Sequence, residues 1–270
     1  MSATPDEFPR HPNAVVDRGA FYIGWQPRMP AALARVIRPL VITLVVLLVG
    51  LSAGVASTLR SGPPGVFEFG VVRDLDGVFY ATPLPTLRLR DPVGGGAVSY
   101  YVVGAGKRGI PDELRALAGQ RVRFRGTLIH QGGATMVELT EPASLTPSGP
   151  PPPGLERPAP QTVGERELVG ELVDTKCFFG VMRPGLGKVH RGCAIRCLSG
   201  GVPPGLLLRH RSVDGERELG TVVMLVGEDG APLELDPRWA ALTIRARGTL
   251  ESHGGIPVLR TRALELEPSS

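Results

Sequence analysis

Residues 121–133 read RVRFRGTLIHQGG, and residues 242–255 read LTIRARGTLESHGG. In both segments polar and apolar residues alternate and lead through Gly-Thr-Leu to a pair of glycines, with the shared residues 122 positions apart. Alternation with a period of two is typical of a half-buried strand. The first glycine pair is followed by a second apolar stretch, Met136–Leu139, which predicts a β-hairpin. The sequence therefore predicts one β module that occurs twice.

The starts of the two modules also resemble each other, since residues 69–74 match residues 169–174 at an offset of 100. Between the modules lies a proline-rich stretch, residues 146–164, whose extended backbone suits a spacer. We therefore expect the first module at residues 65–145 and the second at residues 165–267.

The amino-acid composition is consistent with a fold built from short strands. The chain has 36 glycines and 27 prolines among 270 residues, which argues against a helical bundle, a coiled coil or a long parallel sheet. A hydrophobic share of 42% argues against general disorder. Pro111–Gly119 is expected to form a short helix between strands, before the closing hairpin. Such modules resemble an oligonucleotide/oligosaccharide-binding (OB-like) barrel, so the predicted fold is mainly β, with an N-terminal transmembrane helix and two tandem OB-like barrels.

The N-terminal part contains a candidate membrane anchor. Residues 39–59 carry no charge, and their number matches the roughly 20 residues that a spanning helix needs. More arginines precede this segment than directly follow it, which predicts a cytoplasmic segment at residues 1–38 and modules in the periplasm of a bacterial inner membrane. The preceding arginines are Arg10, Arg18, Arg28, Arg35 and Arg38.

A cleaved signal sequence is the alternative, because Gly54-Val55-Ala56 supplies the small residues that a signal peptidase prefers. The aromatic residues within residues 21–25 favour an uncleaved anchor, since aromatic side chains are common at membrane interfaces. This layout resembles that of the membrane-tethered periplasmic haem chaperones of cytochrome c maturation. The resemblance covers architecture only, because the C-terminal part lacks their haem-attaching histidine motif.

The second module carries about 22 extra residues, the difference between the offsets 100 and 122, and this insertion, residues 176–201, holds all three cysteines. A helix over residues 188–199 would place His190, Cys193 and Cys197 on one face. Gly200-Gly201 would end that helix. Thiolate and imidazole groups suit copper, zinc or iron, and a thioether can add a further ligand. We expect copper or zinc, and the candidate metal ligands are Cys177, Met182, His190, Cys193 and Cys197.

The Cys-x3-Cys spacing with a nearby histidine and methionine is similar to the binuclear copper site of cytochrome oxidases and nitrous oxide reductases. It also resembles the copper chaperones that service such oxidases. Both resemblances imply copper. They rest on one short motif, since those families have cupredoxin and thioredoxin folds, which are not expected here.

Two other roles for the insertion stay open. Its basic side chains could lower the pKa of a cysteine, or attract an anionic ligand or an acidic partner. These docking candidates are Lys176, Arg183, Lys188, Arg191 and Arg196, and no carboxylate lies between Asp174 and Asp214. In an oxidising compartment Cys177 could instead form a disulfide with Cys193 or Cys197, leaving one cysteine unpaired.

The expected function is that of a non-enzymatic accessory or assembly factor for a membrane redox or respiratory complex. A structural docking subunit with a disulfide-stapled insertion is the first alternative. A dithiol oxidoreductase that cycles Cys193 and Cys197 is the second. Nucleic acid is not an expected partner, because the net charge is only +4 and the basic residues are dispersed.

Overall fold

The apolar N-terminal stretch forms one helix, α1, over Ala31–Thr58. The computed structural model describes residues 29, 31–58, 65–91, 94–211 and 217–267. An 18-residue window within residues 31–57 of α1 has a mean hydropathy of 2.5, so by length and composition the helix could be a membrane anchor or a signal sequence. It begins before the predicted start at residue 39. Outside the described residues lie Arg10, Arg18, Arg28, residues 21–25, the end of the predicted span at residue 59, and Asp214.

The rest of the described chain is mainly β and forms a second compact unit, residues 61–270. Its strands are β1 Val66–Phe67, β2 Arg73–Tyr80, β3 Thr86–Arg90, β4 Ala97–Val103, β5 Arg121–Gln131, β6 Ala134–Pro147, β7 Gln161–Asp174, β8 Pro204–Arg211, β9 Arg217–Gly227, β10 Thr243–His253 and β11 Ile256–Leu266. Its helices are α2 Asp112–Arg115 and α3 Arg191–Ser199, with a π-helical turn at Cys177–Val181 and a 3-10 turn at Pro237–Trp239.

Strands β2 to β6 form a ring-shaped sheet, here called the first ring, in the order β2-β3-β4-β6-β5 with β5 returning to β2. Strands β7 to β11 form a closed barrel in the corresponding order, β7-β8-β9-β11-β10. In both sheets the third and fifth strands are parallel, and the other neighbouring pairs are antiparallel. The two halves therefore share one strand order.

Both predicted hairpins are present at the expected turns. The glycine pairs 132–133 and 254–255 all have positive φ, which a two-residue turn of type I′ requires. Gly126 and Gly248 lie at matching register shifts, where a Cβ atom would collide with the partner strand. The repeat at offset 122 thus reflects equal hairpin geometry.

The predicted match between the module starts is wrong. Gly77 pairs with Val122 and Gly170 pairs with Ile244, so Gly170 corresponds to Gly77 rather than to Gly70. The offset at the first strand is therefore 93, and the second half carries 29 extra residues, the difference between 93 and 122. Most of them lie between β7 and β8, where the cysteines are.

The first ring and the barrel pack against each other. Each has its own apolar core, and a third cluster of buried residues draws on both. At its centre the rings of Tyr101 and Phe179 meet edge to face, with centroids 5.5 Å apart. The cysteine-bearing insertion of the barrel therefore lies against the first ring.

The proline-rich stretch between β6 and β7 also packs on the first ring. Leu155 is buried, and its carbonyl oxygen accepts a hydrogen bond of 3.0 Å from the Tyr80 hydroxyl. Arg90 donates to the carbonyl of Pro153. This stretch is therefore a fixed connection rather than a free spacer.

The closing hairpin of the barrel is held by Glu251 on β10. Arg260 Nε donates to its carboxylate over 2.9 Å, and His253 Nε2 lies 2.7 Å from the other oxygen. Burial by itself would raise the pKa of Glu251, but these two partners outweigh it and hold the pKa below the ordinary value of 4.5.

Candidate metal centre

The site begins where β7 ends. Asp174, the last residue of β7, is fully buried, and its Oδ1 accepts a hydrogen bond of 2.8 Å from the backbone N–H of Cys177. This bond turns the chain into the π-helical turn that carries Cys177. The chain then passes through a glycine-rich segment to His190 and α3.

Helix α3 brings the other predicted ligands to the same place. It covers Arg191–Ser199, shorter than the predicted helix over 188–199, but His190 before it has helical backbone angles. His190, Cys193 and Cys197 therefore share one face, as the spacing predicts. Gly200 caps the helix and Gly201 follows with positive φ, which confirms the predicted stop.

The three cysteine sulfurs converge. Cys177 Sγ lies 3.9 Å from Cys193 Sγ and 3.9 Å from Cys197 Sγ, and all three thiols are free. Zn–S bonds of ~2.3 Å at tetrahedral angles place sulfur ligands about 3.8 Å apart. The two sulfur pairs that include Cys177 thus have the spacing found around one tetrahedral ion, and no disulfide joins the three cysteines.

His190 lies close to Cys177 and Cys193. Its Nε2 lies 2.8 Å from Asp174 Oδ2, both side chains are buried, and ligand atoms of Cys177, His190 and Cys193 all lie within 4.8 Å of one another. Histidine ligands commonly direct their second ring nitrogen to a carboxylate, which fixes the ring orientation and tautomer. The buried Cys/His/Asp group could therefore hold a metal ion.

Hydrogen bonding between the thiols makes them unequal. Cys177 Sγ and Cys197 Sγ are in hydrogen-bond contact; this contact, together with burial, raises the pKa of Cys177 far above its ordinary value. The same contact, together with the positive charge of Lys107, lowers the pKa of Cys197 despite burial. Thiolate is the metal-binding form of cysteine, so Cys197 is more ready than Cys177 to bind a metal.

A loop of the first ring, residues 104–109, reaches the cluster. Its Lys107 Nζ lies 2.6 Å from Cys193 Sγ, and this contact raises the pKa of Lys107. The sequence indicates no role for Lys107, because this residue lies 86 positions from Cys193 in a glycine-rich turn.

Lys176 anchors this loop and is not available for docking. Its side chain is only 2% exposed, and Nζ donates to the carbonyls of Gly104 and Gly106 and, over 2.9 Å, to Glu138 Oε1. The prediction of Lys176 as a docking residue is therefore wrong, because its side chain is buried and all three ammonium protons are donated inside the molecule.

The other predicted residues lie around the cluster. The side chain of Met182 is 45% exposed, unlike the buried Cys177 and Cys197, so the structure does not bury it with them. Arg183 donates to the carbonyl of Gly65, and Arg191 donates to the carbonyls of the 3-10 turn region. Lys188 and Arg196 are exposed.

Sequence reasoning missed Asp174, Lys107 and Glu138 as parts of the site. For Asp174 a local signal exists, since an aspartate three residues before a cysteine can accept that residue's backbone N–H. For Lys107 and Glu138 the sequence carries no such signal.

A scan of family models gives no match to this chain, and a search of curated proteins also finds no similar sequence.

Proposed function

We propose that this protein binds one copper(I) or zinc(II) ion through Cys177, Cys193, Cys197 and His190. We further propose that it serves as a periplasmic, inner-membrane-anchored accessory or assembly factor for a membrane redox complex. In this proposal both sheets are OB-like modules, which their common strand order supports.

The spacing of the sulfur atoms carries the metal proposal. The two Sγ–Sγ separations of 3.9 Å around Cys177 match the distance between two sulfur ligands of one tetrahedral ion. The buried Asp174 holds His190 in an orientation suited to a fourth ligand. Soft thiolate ligands select copper(I) and zinc over hard cations. The apolar helix α1 supports the membrane anchor, and the assembly role follows from combining such an anchor with a soft-metal site.

Metal analysis of the purified full-length chain tests this proposal. The chain is expressed with copper or zinc, solubilised in detergent, desalted and analysed for metal per chain. We expect about one ion per chain, lost in Cys193→Ser and in His190→Ala. His253→Ala is the matched control and should retain the ion, because His253 lies in the hairpin of Glu251. Wild-type protein without metal, or full metal in His190→Ala, would refute the proposed site.

A docking subunit with a disulfide-stapled insertion is the second candidate. The observation that favours it is the closeness of Cys177 to both other cysteines, at the junction of the first ring and the barrel. Counting thiols after denaturation in chelator separates the two. A metal site gives three thiols per chain, whereas a disulfide gives one.

A further inference from the structure

The contact between Lys107 and Cys193 is unusually close. Nζ and Sγ are 2.6 Å apart, which is shorter than the ~2.7–3.2 Å of ordinary N–H···O hydrogen bonds, although sulfur is a larger acceptor than oxygen. A separation of this size is what a single oxygen atom bonded to both nitrogen and sulfur would impose.

The backbone on both sides fixes this contact. On one side, the loop that carries Lys107 is tied down by the buried Lys176 ammonium. On the other side, Gly109 N–H donates to the carbonyl of Gly200 over 2.8 Å, and a Cβ on Gly200 would lie 1.9 Å from the carbonyl oxygen of Lys107. The amine and the thiol are therefore held together by the fold and not only by their own attraction.

Solvent exposure also distinguishes Cys193 from the other two cysteines. Cys177 and Cys197 are 3% and 1% exposed, whereas Cys193 is partly exposed and Lys107 is exposed. A small oxidant in solvent thus reaches Cys193 first, and oxidation of cysteine follows exposure and thiolate character.

We propose that Lys107 and Cys193 form a covalent N–O–S bridge when the protein meets dioxygen. The amine and the thiol together lose four electrons, and dioxygen accepts them. The N–H and S–H bonds are replaced by N–O and O–S bonds, so that Lys–NH2 + HS–Cys + O2 gives Lys–NH–O–S–Cys + H2O. One oxygen atom remains in the bridge and the other leaves as water. A dithiol reductant returns the amine and the thiol by supplying four hydrogen atoms, and the bridging oxygen also leaves as water.

The bridge has two consequences. It ties the first ring covalently to α3 of the barrel. It also occupies Cys193 and so removes one thiolate from the metal site, a consequence that rests on the proposed function. Metal content should then fall by the fraction of chains that carry the bridge.

Peptide mapping of the full-length chain in detergent tests the proposal. Reduced, metal-free protein is divided into an air-exposed and an anaerobic sample, denatured with a thiol-blocking reagent, digested and analysed by mass spectrometry. We expect a cross-linked peptide pair containing Lys107 and Cys193, heavier than the two peptides by one oxygen and lighter by two hydrogens. It should occur only after exposure to air and disappear on treatment with dithiothreitol.

Two variants serve as controls. Lys107→Arg keeps the cation but has no primary amine, so it should give no cross-link. Cys177→Ser removes a proposed ligand yet keeps the pair, so it should still form the cross-link. Absence of the cross-link from air-exposed wild-type protein overturns the proposal, as does finding only a disulfide among the cysteines. A cross-link in a wild-type chain that binds no metal supports the bridge and refutes the proposed function, so the two fail separately.

Discussion

The buried ion pair between Lys176 and Glu138 should be one of the strongest links between the barrel and the first ring. The Lys176 side chain is 2% exposed and that of Glu138 is 12% exposed, with Nζ and Oε1 2.9 Å apart. Glu138→Gln removes the negative charge and keeps the shape and an acceptor oxygen. The Lys176 ammonium then stays buried without a counter-charge.

Removing one partner of a buried pair costs about 3–5 kcal/mol. Marginal stabilities of ~5–15 kcal/mol make this a large share of the total. For a unit of this size each kcal/mol lowers the Tm by roughly 2–4 °C, so we expect a fall of roughly 6–20 °C. Urea unfolding measures the loss in unfolding free energy, and thermal unfolding measures the fall in Tm. Both are carried out on the unit over residues 61–270, which has its own cores.

The control is Glu141→Gln, the same substitution on the same strand. Glu141 pairs with Arg125, both side chains are nearly half exposed, and the expected loss is below about 1 kcal/mol. The double variant Glu138→Gln with Lys176→Met should lose less than the sum of the two single variants, by at least ~2 kcal/mol. A loss in Glu138→Gln no larger than that in Glu141→Gln, or strict additivity, would refute the reasoning.

Three further predictions concern the site and the barrel. Asp174→Asn should weaken metal binding by ~10–100-fold, because the ring of the histidine ligand loses its carboxylate partner; competition with a chelator measures this, and unchanged affinity would contradict it. Gly200→Ala should lower the free energy of unfolding by about 1–3 kcal/mol, because the added Cβ would collide with the carbonyl oxygen of Lys107 in the first-ring loop. Gly192→Ala on the same helix is the control and should leave the free energy of unfolding unchanged, because a Cβ there meets nothing within 4 Å. The pKa of Glu251 is lowered by folding, so its contribution to stability is present above pH 4.5 and is lost as pH falls through the lower folded value. Wild-type stability should therefore decline more steeply on acidification than that of Glu251→Gln, and parallel profiles would count against the ion pair.

The hairpins could be predicted because their determinants are local. A glycine pair that supplies two positive φ angles, flanked by alternating residues, specifies turn and register within a dozen residues. The match of Gly70 with Gly170 failed because strand pairing decides that position. Gly77 is the residue that lies against β5, and nothing close to it in the sequence indicates this.

The candidate site shows the same distinction between features set by local sequence and features set by long-range packing. The face formed by His190, Cys193 and Cys197 follows from helical spacing, so the sequence predicts it. Lys107 approaches Cys193 only because the first ring packs against the barrel, which depends on apolar contacts spread over both halves. Lys176 was misplaced for the same reason, since a lysine reads as exposed until a buried carboxylate is known to face it.

Charge balance explains why the first ring belongs to the proposed site. Three thiolates with a zinc ion carry one net negative charge, and with copper(I) they carry two. The buried Asp174 adds another, and unpaired charge in a buried site is costly. Lys107 is a cation that contacts the cluster, and the first ring supplies it. Without Lys107, the site would have one more uncompensated negative charge, whichever ion is bound. With Lys107 present, a zinc site has one uncompensated negative charge fewer than a copper(I) site. In the proposed site, both the first ring and a divalent ion would therefore be favoured by the same requirement, that a cluster of largely buried thiolates be neutralised from outside the insertion that carries them.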